Sequence, residues 1–239
     1  MANMITKHIP NTLTSLNLFS GCLAVIAAYE GNYPLASLFI IAGAVFDFFD
    51  GMSARLLKAY SPMGKELDSL ADMVTFGVAP AMIAFSLMKS LVPAGFPELL
   101  AEYLPYAAFL IAIFSALRLA KFNIDERQTS SFIGLPTPAN ALFWIGICMG
   151  LTTATGNVFI ANIWIILALV VIFSYLLVAE IPMFSFKFKS LNWKDNQLRY
   201  IFLIIAVPLL IILGITGISA VIGLYIILSL LTGKKSVQP

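Results

Sequence analysis

The chain has 239 residues, 60% of them hydrophobic and only 11% charged, with a mean hydropathy of +0.95. A soluble domain is nearer half apolar and a quarter charged, so these values exclude an ordinary water-soluble protein and indicate a polytopic membrane protein. The formal net charge of +2 offers no electrostatic footprint for a nucleic-acid partner.

From the N-terminus, the stretch MANMITKHIPNTLTSLNLF has no short apolar core followed by a small-residue cleavage site, so the first span is expected to stay in the protein. Apolar runs long enough to cross a bilayer predict eight spans, at about 11–29, 34–57, 67–89, 104–121, 138–155, 159–180, 199–214 and 217–232. The expected fold class is therefore all-α, a membrane helix bundle whose short connections make neighbours antiparallel. His8 reads as an interfacial residue. Cys22 and Cys148, each in an apolar run without metal or redox spacing, read as buried small hydrophobes.

The second and third spans carry the most informative segment, Asp47-x-x-Asp50-Gly51-x-x-Ala54-Arg55, then eight residues, then Gly64-x-x-x-Asp68-x-x-x-Asp72. A charge at membrane depth costs roughly 2.5–3.5 kcal/mol even on the lenient insertion scale, and such residues mark function. On a helix, 47, 50, 51 and 54 share one face, and 64, 68 and 72 form a second row. The short linker with Ser61-Pro62 should fold the two helices back on each other, setting carboxylates against carboxylates. Oxygen ligands of this kind suit Mg2+, Mn2+ or Ca2+ rather than zinc. Gly51 and Gly64 leave room for a ligand or backbone to come close, and Arg55 is the natural bidentate clamp for phosphate. Metal, arginine and a spare carboxylate together are the equipment of phosphoryl-group transfer. An ion pair between Asp47 and Arg55 is the plainer alternative, which the spacing of all four aspartates does not explain.

Further along, ALRLAKFN at 116–123 places Arg118, Lys121 and Asn123 at the end of span four. The turn Gly134-Leu-Pro136-Thr-Pro138 either closes a polar pocket or simply starts span five, since proline presets the helical φ. FSFKFKSLNWKDNQ alternates aromatic and basic residues and reads as an interfacial loop. In the last pair of spans, LLIILGITGISAVIGLY is open between a tight hairpin at 214–217 and one bent helix.

Charge fixes the expected orientation. With a cytoplasmic N-terminus, Lys7; Arg55, Lys58 and Lys65; Arg118, Lys121 and Arg127; Lys187, Lys189, Lys194 and Arg199; and Lys234 and Lys235 all fall inside. Those are thirteen of fourteen basic residues, with Lys89 outside beside Glu30, Glu98 and Glu102. The positive-inside rule then puts both termini and the aspartate cluster on the cytoplasmic side.

The spacing D-x(2)-D-G-x(2)-A-R-x(8)-G-x(3)-D-x(3)-D resembles, at every fixed position, the signature of the CDP-alcohol phosphotransferase family. That resemblance implies a six-helix core over residues 1–180, with an interfacial loop and two additional spans over 181–239. It implies attack of an alcohol hydroxyl on the lipid-bearing phosphorus of a CDP-linked donor, with release of CMP. It further implies that Asp47, Asp50, Asp68 and Asp72 hold two divalent ions, Mg2+ or Mn2+, with Asp72 as the general base. Gly51, Ala54, Arg55, Ser61 and Gly64 would contact the CDP or its phosphates, as would Asn11 and Thr14 in the entry to the first helix.

The flanks DMVTFGVAPA, ALRLAKFN and FIGLPTPANA resemble the membrane-embedded phosphatidylserine synthases of this family. The substrates implied are CDP-diacylglycerol and L-serine. Arg118 and Lys121 would then meet the serine carboxylate, with Asn123 as a polar contact, although both cations could instead anchor the helix at the interface. A homodimer in a bacterial inner membrane is the expected setting. The same chemistry on glycerol 3-phosphate or inositol is the alternative, and a cation-coupled transporter is the reading from a different class.

Overall fold

A computed structural model describes residues 8–125, 132–152, 161–184 and 192–233. Ten α-helices follow in chain order among them: α1 His8–Tyr29, α2 Tyr33–Leu56, α3 Pro62–Asp72, α4 Ala79–Ser90, α5 Glu98–Tyr103, α6 Leu110–Ile124, α7 Thr137–Thr152, α8 Ile163–Val178, α9 Trp193–Leu213 and α10 Gly217–Gly233. A π-helix, Met73–Val78, joins α3 to α4, and a 3-10 stretch, Leu104–Phe109, joins α5 to α6. The result is the expected all-α polytopic bundle. Among the described residues five continuous helical segments are long and apolar enough to span a membrane, and α7 and α8 are shorter apolar helices.

Prolines mark where the long segments leave α-helical register. Pro80 has no N–H to offer the Phe76 carbonyl. Immediately before it, the chain runs in wider turns, with the Ala79 N–H bonded to the Val74 carbonyl five residues back. Pro105 likewise sits in the 3-10 stretch. This third span is therefore one continuous path from Pro62 to Ser90, longer at its N-terminal end than the expected 67–89.

The last two spans form a hairpin. Gly214 takes a positive φ of 58°, and a Cβ on Gly217 would stand 2.8 Å from the Leu209 carbonyl oxygen, a contact that an unbroken helix could not make. α10 packs on α7 as well as on α9. At their closest point, a Cβ on Gly146 would overlap Ser219, whose hydroxyl donates to the Phe143 carbonyl at 2.9 Å. Small residues at helix crossings are how apolar helices come close where water supplies no driving force.

The Gly134 turn anchors α7 to α8. Gly134 has φ 78°, its N–H meets the Ile181 carbonyl at 2.9 Å, and the Leu135 N–H meets the Leu176 carbonyl at 2.9 Å. A two-residue antiparallel ladder, Phe132↔Met183 and Ile133↔Pro182, continues the contact. The turn thus satisfies a carbonyl at the C-terminus of α8 that the helix itself leaves open.

Cys148 is buried as expected, 3.7 Å from the Ser37 hydroxyl. Cys22 is not: it is exposed, on the outward stripe of α1 with Phe19 and Ile26. In a membrane bundle both faces of a helix are apolar, so hydropathy does not separate the protein-facing side from the lipid-facing one. The interfacial reading of FSFKFKSLNWKDNQ and the charges Lys7, Arg127, Lys187, Lys189, Lys234 and Lys235 fall mostly or wholly outside the described residues.

Candidate active site

The end of the bundle where α2 turns into α3 is built by local rules. α2 closes in a Schellman arrangement: Lys58 adopts φ 51°, its N–H bonds the Arg55 carbonyl at 3.3 Å, and the Ala59 N–H bonds the Ala54 carbonyl at 3.0 Å. Ser61 then caps α3, accepting the Gly64 N–H at 2.9 Å, with Pro62 in the first turn. These two devices reverse the chain in five residues and set the aspartate rows side by side.

Asp47, Asp50 and Asp68 converge. One carboxylate oxygen from each lies within 4.8 Å of the other two. Asp50 is buried and accepts a 2.6 Å hydrogen bond from Thr14 of α1. An Asp68 oxygen is buried with no hydrogen-bond partner. Asp72 stands outside this triad, one turn deeper, where its Oδ1 accepts from the Asn17 amide at 3.3 Å. The alternative of an ion pair between Asp47 and Arg55 is not realised; the Arg55 Nε donates to the Gly51 carbonyl at 2.9 Å, and its side chain is exposed.

A cleft of about 770 Å3 opens beside the triad, lined by Asp50, Gly51, Ala54, Arg55, Ser61, Gly64 and Asp68, with Asn11 and Thr14 from α1. All seven residues expected to contact the donor head group therefore share one cavity. A Cβ on Gly51 would meet nothing within 4 Å, so its face is open to a ligand. Gly64 does the opposite job: a Cβ there would stand 3.0 Å from Ser61 Oγ and 3.1 Å from Asn11 Oδ1, so the bare backbone lets α1 and α3 close.

The cleft also takes in Tyr60, Lys65 and Phe122. In the sequence Lys65 stands out only as one of the cytoplasmic-side charges. It lies one residue past Gly64 and its Nζ reaches the Asn123 carbonyl at 3.2 Å. Asn17 escaped as well, although it extends the stripe Asn11, Thr14 by one further step of three.

The expected serine contacts separate into different environments. Arg118 is buried, 7% exposed, with its Nε lacking a hydrogen-bond partner, its guanidinium 5.0 Å from the centre of the Phe122 ring, and Asp72 and Tyr225 within electrostatic reach. Lys121 pairs with Glu180 at 3.0 Å. The Asn123 amide donates to the Ser69 hydroxyl at 2.8 Å, tying α6 to α3. Arg118 is thus on the Asp72 side of the site, while Lys121 serves a link from α6 to the segment after α8.

Comparison with known proteins places this geometry. The family model described as CDP-alcohol phosphatidyltransferase matches residues 7–231. A Bacillus subtilis (strain 168) CDP-diacylglycerol–serine O-phosphatidyltransferase is 42% identical over 151 residues, 63% of this chain and 78% of the relative. Relatives of the same name from Mycobacterium bovis and Helicobacter pylori are 34% identical over 227 residues and 30% over 228. They cover 92% and 91% of this chain, and 72% and 87% of their own.

Proposed function

The chain belongs to the CDP-alcohol phosphatidyltransferase family, and from that premise we propose that it transfers the phosphatidyl group of CDP-diacylglycerol to L-serine. The serine hydroxyl oxygen forms the new bond to the phosphorus that carries diacylglycerol. The bond from that phosphorus to the oxygen of CMP breaks, and CMP leaves with the electron pair. The products are phosphatidylserine and CMP.

The observation that carries this reading is the cleft in which Asp50, Asp68, Arg55 and Lys65 face one space. A pyrophosphate brings negative charge to that space, which Arg55 and Lys65 offset by hydrogen-bonded cations. Gly51 and Ala54 keep the α2 face low enough for the nucleotide to lie against it, and Asn11 and Ser61 offer polar atoms at the rim. The aspartates alone would repel such a donor. Three converging carboxylates and a buried, unpartnered Asp68 oxygen fit a hard divalent cation held by Asp47, Asp50 and Asp68, with Asp72 completing the set. Bound there, Mg2+ or Mn2+, as two ions, would neutralise the phosphates and polarise the phosphorus. Asp72 takes the proton of the serine hydroxyl, and Arg118 binds the serine carboxylate beside it.

The active site and both termini are assigned to the cytoplasmic side, supported by the thirteen-to-one distribution of basic residues. The residues 1–180 core with a 181–239 addition, and a homodimer, rest on the family likeness.

The test is CMP release by the purified protein from CDP-diacylglycerol, with serine, glycerol 3-phosphate or inositol as acceptor. Serine-dependent release that EDTA abolishes and Mg2+ or Mn2+ restores is the expected result. Release with another acceptor alone would discard the serine assignment.

A further inference from the structure

We propose that Asn17 is a positioning residue that fixes the orientation of the Asp72 carboxylate, working through a clasp between α1 and the π-helix. The proposal rests on the assignment of Asp72 as the base of the serine transfer.

Asn17 is completely buried in α1 and grips the third span at two points. Its side-chain Nδ2 donates to Asp72 Oδ1 at 3.3 Å, and its backbone carbonyl accepts the Thr75 hydroxyl at 3.0 Å. Thr75 is itself completely buried, three residues after Asp72 and inside the π-helix. One α1 residue thus holds positions 72 and 75 together, across the point where the helix changes register. A π-turn sets residues 72 and 75 at a different relative angle from an α-turn, and Asn17 matches that angle with one side-chain bond and one backbone bond.

The surroundings leave the clasp no slack. A Cβ on Gly21 would overlap the Thr75 hydroxyl. A Cβ on Gly43 would stand 2.5 Å from Thr75 Cγ2 and 2.9 Å from Asn17 Oδ1. Glycines on α1 and α2 therefore create the slot in which Thr75 and Asn17 meet. The amide's oxygen, Asn17 Oδ1, is buried without a partner, so the one hydrogen bond made by this side chain is the one its Nδ2 gives to Asp72.

The residue type suits the task. A primary amide donates to a carboxylate without carrying charge and without taking its proton. A lysine or arginine in its place would hold the carboxylate equally well but neutralise it. The bond engages one of the two carboxylate oxygens of Asp72. At 3.3 Å it lies at the long end of hydrogen-bond geometry, which fits a tether that sets rotation rather than a strong ion pair.

The test uses the full chain in detergent or nanodiscs, with CMP release measured per bound CDP-diacylglycerol, so that misfolded protein does not count. Asn17→Ala is expected to lower kcat about 10–100-fold, the range typical of supporting hydrogen bonds around a site, with the KM for CDP-diacylglycerol within about threefold of wild type. Asn17→Leu, nearly the same size but without the donor, should show the same loss and decides the matter if Asn17→Ala fails to fold. A kcat within twofold of wild type in either folded variant overturns the proposal. So does a donor KM that rises in step with the loss of kcat, since that would make Asn17 a binding or purely structural residue. The wild-type arm is read separately: no serine-dependent CMP there would remove the functional assignment and this proposal with it, whereas normal turnover in Asp72→Asn would remove the role of Asp72 and leave the serine transfer standing.

Discussion

Asp72 and Arg118 are the two residues whose positions say most about the chemistry. Asp72 sits apart from Asp47, Asp50 and Asp68, next to a neutral amide donor and within reach of a guanidinium. Asp72→Asn is expected to lower CMP release by about 100-fold or more, the order attributed to a general base, while CDP-diacylglycerol still binds. Normal turnover in that variant would hand the role to another group. Arg118 is 7% exposed, and an interfacial anchor would instead extend its head group toward water. Arg118→Ala should therefore raise the KM for serine about tenfold or more and leave the KM for CDP-diacylglycerol nearly unchanged. Equal effects on both substrates would return Arg118 to a structural role. The aspartate quartet was legible in the sequence because its spacing is a helical one and its cost in a membrane is high. Asn17, Lys65 and the pairing of Lys121 with Glu180 were not, because each depends on a contact between residues at least 55 positions apart along the chain.

Among the elements, α1 is the template on which the site is assembled. It packs along α2, α3, α4 and the π-helix, and its stripe Asn11, Thr14, Asn17 meets Gly64, Asp50 and Asp72 in turn. Thr14 was expected to touch the nucleotide; it lines the cleft and also donates to the Asp50 carboxylate. The register of this stripe depends on close backbone approach at Gly21 and Gly43. Gly43→Ala is predicted to destabilise the protein by about 1–3 kcal/mol, as overpacking does, and to reduce turnover, because Thr75 and Asn17 must both shift. Thermal unfolding in detergent beside CMP release checks this, and a variant as stable and active as wild type would show that the slot has room. The π-helix was hidden in MVTFGVAPA, whose apolar pattern is that of an ordinary span; only Pro80 hinted that a carbonyl one turn earlier would lack its donor.

At the scale of the whole molecule, the polar contacts of the site gather at one end of the bundle. The start of α1 meets the start of α3 at Asn11 and Gly64, the end of α6 meets α3 through Asn123 and Ser69, and Lys121 reaches Glu180 just past α8. The all-α polytopic bundle was legible because length and hydropathy fix where an apolar segment starts and stops. Of the eight expected spans, five helical segments among the described residues are long and apolar enough to cross, α7 and α8 are shorter, and the last two expected spans fall within one of the five and part at Gly214. Which face of each helix meets lipid was not fixed in the same way, as Cys22 shows. The positive-inside assignment puts the first turn of α3 and the α4–α5 connection on opposite sides of the membrane. Met63 and Ala94 are exposed at those two places. In a Cys22→Ala background, Ala94→Cys should react with a membrane-impermeant maleimide in intact spheroplasts, and Met63→Cys only after permeabilisation. The reverse pattern would place the cleft outside, away from a cytoplasmic supply of nucleotide-activated lipid head groups and serine. Labelling of both from one side would mean that the span from Pro62 to Ser90 does not cross at all, and the burial of Ala79, Ile83 and Met88 along its length would then need an explanation other than a transmembrane bundle.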